Sequence, residues 1–245
     1  MTSLIRQTFK TSRLSEFCSE KELANQTGHA VEDWPLVILK ELFDNALDGC
    51  EEAGTAPVIG VAINGGGITV TDNGTGMAAQ TILDILDYSA RRIEPRSLCI
   101  ADARRARQRL KDYPRHASPL DGDHGRVIIE SRSITYTINF VTDRVRQEPR
   151  IDLTQEVSSV QIGTRITVEW PNSASRILAD ARPRIVPFVV NYAWINPHLT
   201  LSLEWGQDQS GQTNGPPRQR IRLGKNGGRP IPRRHIGMTF PGSPV

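Results

Sequence analysis

The segment from Trp34 to Ala53 constrains the fold more than any other part of the chain. Its apolar residues recur at three- and four-residue steps, which is the spacing of one buried face of an amphipathic helix. The residues that carry this pattern are Leu36, Leu39, Leu42, Phe43, Ala46, Leu47 and Cys50. We therefore expect a helix here that packs on a hydrophobic layer, with Cys50 as a core residue.

The rest of the sequence predicts a sheet with further helices. Two β-rich runs, Val58–Asn64 and Ile68–Asp72, flank a run of three glycines and indicate a hairpin. Other strand signals lie at Arg126–Ser131, Ile134–Val141, Thr164–Trp170 and His198–Trp205, and helical spacing at 14–27, Met77–Tyr88 and Ser173–Asn191, the last interrupted by Pro183 and Pro187. This order predicts an α+β fold, a two-layer sandwich in which helices cover one face of a mixed, mostly antiparallel sheet.

Composition narrows the class of protein. A chain of 245 residues allows one large domain, or one domain with a tail. No apolar run approaches the ~18 residues of a membrane span, and the first residues lack the apolar stretch of a secretory signal. Three cysteines, odd in number and without a CxxC pair, indicate reduced thiols. We therefore expect a cytoplasmic protein with no membrane partner.

The net charge of +3 is small, but basic residues concentrate in two segments. Residues 91–115 hold nine Lys or Arg against three acidic residues, and residues 218–234 hold seven and no acid. Ordered basic clusters bind phosphates. Two interpretations stay open, a solvated loop and tail or a DNA-binding surface.

Polar residues at two places carry the functional signal. Glu41, Asn45 and Asp48 interrupt the apolar helix at spacings that place them on one stripe. Further along, the strand ending at Asp72 runs into Asn-Gly-Thr-Gly-Met, residues 73–77, in which glycines let the backbone pass close to a ligand. Either feature alone is common, and their order and spacing together are specific.

This order resembles the Bergerat-fold ATPases of the GHKL superfamily, and within it the ATP-binding domain of the type IIB topoisomerases (topoisomerase VI). Residues 39–54, LKELFDNALDGCEEAG, look like the N-box, and residues 70–77, VTDNGTGM, like the first glycine box. Residues 163–168 and 191–198 resemble two later elements. The likeness covers roughly residues 15–205 with a gap in the middle, and it implies ATP and Mg²⁺ as ligands.

For the helix, the resemblance implies residues that serve phosphoryl transfer. Glu41 would be the general base for the attacking water, and Asn45 would hold Mg²⁺ through its amide oxygen. Asp48 has two interpretations, a residue of the nucleotide site or a helix residue hydrogen-bonded locally.

For the loop, the resemblance implies recognition of the base. Asp72 would accept a hydrogen bond from the adenine amino group, which discriminates against guanine. Gly74 and Gly76 would let the backbone approach the base and ribose, and Met77 would also belong to the nucleotide-binding residues. Thr164 would support Asp72 through its hydroxyl and a water.

The sequence departs from this family in two places. Relatives carry a glycine-rich lid, whereas residues 92–120 contain no glycine, and residues 206–245 are too short and too polar for the transducer domain that supplies a further lysine. We therefore expect residues 1–30 to be an N-terminal arm, residues 31–205 an ATP-binding domain with an atypical Arg-rich lid at 91–123, and residues 206–245 a flexible tail.

Two functional hypotheses follow, and a third rests on charge. The chain is an Mg²⁺-dependent ATPase that forms a homodimer on nucleotide binding and works with a DNA-processing partner, or a nucleotide-binding module without hydrolysis. The third is a structural DNA-binding protein. A further hypothesis is that residues 92–119 and 225–245 are frameshifted translations, because both are Arg-rich where relatives carry functional elements, and the nucleotide sequence decides it.

Overall fold

The computed structural model describes residues 24–25, 28–86, 124–143, 148–206 and 219–223. The predicted lid at 91–123, the helical signal at 14–23 and residues 224–245 of the predicted tail lie outside these ranges. Within them, no helix is both long and apolar enough to cross a bilayer.

The predicted amphipathic helix is confirmed as α1, Trp34–Glu52, which follows a 3₁₀ turn at Val31–Asp33. Pro35 lies in its first turn, where a missing backbone N–H costs nothing. Its apolar stripe is buried, from Ile38 and Leu39 to Cys50. The helix forms because burial of this stripe against the sheet stabilises it.

The described strands form a single eight-stranded sheet in the order β5-β4-β3-β6-β2-β1-β7-β8. Their bounds are β1 Val58–Asn64, β2 Gly67–Thr71, β3 His124–Ser131, β4 Ile134–Asp143, β5 Glu148–Val157, β6 Thr164–Glu169, β7 Thr200–Trp205 and β8 Gln219–Leu223. Only β1 and β7 pair in parallel among these strands. The prediction of a mixed, mostly antiparallel sheet is confirmed.

The described part of the chain also contains the helices α2 Ala79–Leu86, α3 Ser175–Asp180 and α4 Arg182–Ile195, and a 3₁₀ turn at Asn172–Ala174. The predicted interruption at Pro187 is wrong, because α4 continues through this residue. Burial of Ile185 and Val189 on either side of Pro187 offsets the hydrogen bond that proline cannot donate. Pro183 lies in the first turn, where it is tolerated.

One hydrophobic layer joins the helices to the sheet. Leu42 and Phe43 of α1 lie in the same core as Ile68 and Val70 of β2 and Val168 of β6. Side chains that alternate with these are polar, as in Thr69 and Thr167, whose hydroxyl oxygens are 2.9 Å apart. The fold is thus the predicted two-layer α+β sandwich.

Two strands carry no clear sequence signal and were not predicted, and both lie at the sheet edges. β5 carries only Ile151 and Leu153 as apolar residues packed on the core, among charged neighbours. β8 lies inside residues 206–245, which were expected to form a flexible tail, and it pairs antiparallel with β7. An edge strand is held by the backbone of its neighbour, and its own sequence carries little signal.

The loop before β6 requires glycine at position 163. Gly163 has φ of 75°, and a Cβ atom there would overlap the carbonyl oxygen of Asp72. Gly54, beyond the end of α1, has φ of 61° with open space around it. The two positions therefore share a left-handed backbone but differ in packing.

This difference gives a matched pair of variants. In Gly54→Ala, the only cost is that of a Cβ atom on a left-handed backbone, which should lower the free energy of unfolding by about 1 kcal/mol. Gly163→Ala adds an overlap with the backbone and should cost roughly 3 kcal/mol or more. Urea denaturation of both variants measures the difference, and equal losses would contradict the close approach of Gly163 to Asp72.

Candidate functional site

A cavity of about 290 Å³ lies between α1 and the ends of the central strands. From α1, the cavity is lined by the polar residues Asn45, Asp48 and Glu52 and by the core residues Leu42 and Ala46. We call it the central cavity, and its lining is Leu42, Asn45, Ala46, Asp48, Gly49, Glu52, Val70, Asp72, Thr75, Gly76, Met77, Ala78, Thr81, Arg132, Thr164 and Ile166. Its volume is near the lower end for small-molecule sites.

Four residues of the loop 72–77 line the central cavity, and the loop is fixed to α1. Gly74 lies so close to α1 that a Cβ atom on it would be 2.6 Å from the carbonyl oxygen of Gly49. Asn73 holds the same loop from behind: its Oδ1 accepts hydrogen bonds from the Val58 N–H at 2.8 Å and the Cys50 thiol at 3.2 Å. The loop is thus placed by the helix and the first strand together.

Asp72 is a firmly anchored carboxylate of the cavity. Its Oδ1 accepts backbone N–H bonds from Gly74 at 2.8 Å and from Thr164 at 3.2 Å. Burial raises the pKa of Asp72 to about 6, although the hydrogen bonds from Gly74 and Thr164 favour the charged form. The carboxylate is therefore held in one orientation at the cavity wall, where it can accept a hydrogen bond from a ligand.

Thr164 binds Asp72 directly. Besides the N–H bond to the carboxylate, the Thr164 carbonyl oxygen accepts the Asp72 backbone N–H at 2.9 Å, and its hydroxyl hydrogen-bonds the carboxylate. The family resemblance implied a hydroxyl contact through a water. The backbone groups of Thr164 add two contacts that the sequence does not reveal.

Arg132 is a cavity residue that the sequence pattern does not single out. It occupies the turn between β3 and β4, and its guanidinium donates to the carbonyl oxygens of Gly76 at 3.2 Å and Thr75 at 3.4 Å. Arg132 and Ser133 both have positive φ, 50° and 62°, as a two-residue hairpin turn requires. The usual signal for such a turn is Asn-Gly or Asp-Gly, which this chain lacks here.

Glu41 differs from the other predicted site residues. It lies on the same stripe as Asn45, one turn earlier in α1, but does not line the central cavity. Lys40 Nζ is 3.2 Å from Glu41 Oε1 and 2.7 Å from Asp44 Oδ2. Burial acts to lower the pKa of Lys40, but the hydrogen bonds and charges of Asp44 and Glu41 outweigh it and raise the pKa.

The structure therefore brings most of the predicted site residues together. Around the cavity lie Asn45, Asp48, Asp72, Gly76, Met77 and Thr164. Gly74 does not line the cavity, but its backbone N–H donates a hydrogen bond to the Asp72 carboxylate. Asp48 also lines the cavity, which favours its interpretation as a residue of a ligand site over a helix residue hydrogen-bonded locally.

The charges around the cavity favour a ligand with hydrogen-bond donors. Of the described lining residues, Asp48, Glu52 and Asp72 are acidic and Arg132 is basic. No group of three metal-ligating acids, histidines or cysteines occurs in the described part of the chain. Mg²⁺ needs no such group, because it keeps several waters and takes one or two protein oxygens. The amide oxygen of Asn45 beside Asp48 fits that mode of binding.

Comparison with known proteins leaves the family open. No protein-family model matches the chain, and no curated protein matches it. One solved structure that aligns with it is described as the crystal structure of the N-terminal domain of a DNA repair protein. The alignment covers 75% of this chain and 51% of that one, with 20% identity and a TM-score of 0.43. The present chain thus spans about half of that structure's chain.

The raised pKa of Asp72 predicts how stability depends on pH. Between about pH 4 and pH 6 the folded state binds a proton at Asp72 that the unfolded state has lost, so this group makes folding less favourable as pH rises. Asp72→Asn removes the titration. The stability of the variant relative to the wild type should therefore improve by roughly 2–3 kcal/mol from pH 4 to pH 7.

Urea denaturation of the two proteins across this pH range measures the effect, since the other carboxyl groups cancel in the difference. A difference that stays constant with pH would show that burial does not raise the pKa of Asp72.

Proposed function

We propose that this chain is an adenine-nucleotide-binding domain of the Bergerat type. The observation that carries the proposal is the Asp72 carboxylate, fixed at the wall of a cavity by two backbone N–H groups on one oxygen. A half-buried acceptor of this kind is costly unless a ligand or solvent donor satisfies its remaining hydrogen-bonding capacity. The exocyclic amino group of adenine is such a donor, and the resemblance of residues 39–54 and 70–77 supports this choice.

Discrimination between bases follows from the chemistry of the carboxylate. Adenine presents an N–H donor at the position where guanine and hypoxanthine present a carbonyl oxygen. A carbonyl opposite the Asp72 carboxylate would put two acceptors together and leave both without a donor. The site therefore selects for an amino group.

The phosphates would lie toward the polar stripe of α1. Asn45 and Asp48 supply oxygen ligands there, and Mg²⁺, when bound, neutralises phosphate charge. Without a cation the acidic lining would repel a triphosphate. Nucleotide affinity should therefore depend on Mg²⁺, while affinity for the nucleoside part should not.

Hydrolysis is the second step of the proposal and rests on Glu41. Glu41 lies one turn before Asn45 on the same stripe, and although it does not line the cavity, it would take the proton from a water that attacks the terminal phosphate. The alternative is a module that binds nucleotide without hydrolysis, and the glycine-free sequence of residues 92–120 favours it. A backbone N–H cradle for phosphates usually needs glycine.

Partners follow from the family resemblance. We propose a homodimer that forms on nucleotide binding, together with a DNA-processing partner protein. The basic residues of 218–234 would add phosphate contacts to such a complex.

Base recognition gives the first test. Non-hydrolysable analogues of ATP and ITP are titrated by calorimetry in the presence and absence of Mg²⁺. We expect the wild type to prefer the adenine analogue by about tenfold or more, and Asp72→Asn to lose this preference because its amide group can also donate to a carbonyl.

Asp152→Asn is the matched control, because this carboxylate lies on β5, pairs with Arg150 and does not line the cavity. Equal affinities of the wild type for both analogues would refute base recognition by Asp72.

Catalysis gives the second test. Phosphate release from ATP is measured for the wild type, Glu41→Ala and Glu51→Ala, the last an exposed residue of the same helix. An ATPase predicts a loss of ~100-fold or more with Glu41→Ala and little change with Glu51→Ala. Binding without phosphate release by the wild type would instead identify the non-hydrolysing module. Equal release by all three proteins would show that Glu41 is not the base.

A further inference from the structure

Ser131, the last residue of β3, is a buried serine with two long-range hydrogen bonds. Its side chain is fully inaccessible to solvent. The Oγ atom accepts the Met77 N–H at 2.8 Å and donates to the Gly163 carbonyl oxygen at 3.1 Å. The hydroxyl thus acts as acceptor and as donor, each toward a different loop.

The two loops that Ser131 joins are the ones that hold Asp72. Met77 ends the loop that begins at Asp72, and Gly163 directly precedes Thr164, whose backbone both donates to and accepts from Asp72. The Gly163 backbone also packs directly on that of Asp72. Ser131 therefore connects the segments on both sides of the carboxylate without a hydrogen bond to the carboxylate itself.

This arrangement matters because hydrogen bonds weaken steeply with angle and distance. The Asp72 oxygen that receives two N–H bonds turns with the loops that carry those donors. If Met77 and Gly163 move apart, the carboxylate turns, and the angle of its hydrogen bond with a donor on the ligand becomes less favourable. Small displacements in a supporting loop then reduce selectivity.

We propose that Ser131 is a positioning residue for base selectivity: by tying Met77 to Gly163 it sets the direction in which Asp72 accepts a hydrogen bond from the ligand. The inference rests on the proposed function, since it assigns a residue that determines selectivity at the same site. A purely structural serine would contribute to stability alone. The two roles differ in whether the ratio of affinities for amino- and carbonyl-bearing bases changes.

The test uses Ser131→Ala and the same analogues of ATP and ITP. We expect the adenine preference to fall by about fivefold to tenfold, toward that of Asp72→Asn. The matched control is Ser158→Ala. Ser158 is also a buried serine whose Oγ accepts a backbone N–H, from Val160 at 3.1 Å, and donates to a second group, Glu130 Oε1 at 3.0 Å. Neither Val160 nor Glu130 bonds to Asp72 or belongs to the loop of residues 72–77, so removal of the Ser158 hydroxyl should lower stability and keep the wild-type ratio.

A second measurement does not depend on the variant folding. Hydrogen exchange of the Met77 amide in the wild type should be protected, because its N–H is bonded to a buried oxygen. Exchange at the rate of an exposed amide would overturn the inference, as would a Ser131→Ala variant that folds and keeps the wild-type ratio. If Asp72→Asn loses selectivity while Ser131→Ala retains it, this inference alone fails. If the wild type shows no preference between the analogues, the proposed function fails and this inference fails with it.

Discussion

The pair of hydrogen bonds between Asp72 and Thr164 is the interaction on which the candidate site depends. It joins the residue after β2 to the first residue of β6, directly beyond the last β2–β6 pair, Thr71 and Arg165. Because Gly163 packs on the Asp72 backbone, no side chain can separate the two segments. The same contacts that continue the sheet therefore fix the orientation of the Asp72 carboxylate, so fold stability and the proposed ligand recognition depend on one set of atoms.

Helix α1 supplies the opposite wall and depends on the same core. Leu42 and Ala46 are buried against the sheet, and the next positions around the helix, Asn45 and Asp48, therefore face the cavity. Gly74 closes the gap by packing on the backbone of Gly49. The packing of the helix thus sets the width of the cavity, and its residues Asn45 and Asp48 make that wall polar.

Local sequence pattern was enough to predict the elements that it encodes. The period of residues 36–50 predicted α1, and the glycine-turned hairpin predicted β1 and β2 with Asp72 at the strand end. Ser131 could not be found this way, because its partners lie 54 and 32 residues away in the chain. Arg132 sits in a hairpin turn that lacks the usual glycine, and β5 and β8 are edge strands held by their neighbours. In each case the signal lies in tertiary contacts.

The central claim is that Asp72 accepts a hydrogen bond from an amino group of the ligand, and one comparison of ligands on the unmodified protein tests it most directly. Adenosine and purine riboside differ only in the exocyclic amino group, which is a hydrogen atom in purine riboside, so the donor is removed without added bulk. Calorimetric titration should show that purine riboside binds at least about tenfold more weakly, because the Asp72 carboxylate loses its donor. Equal affinities for the two nucleosides would contradict the account.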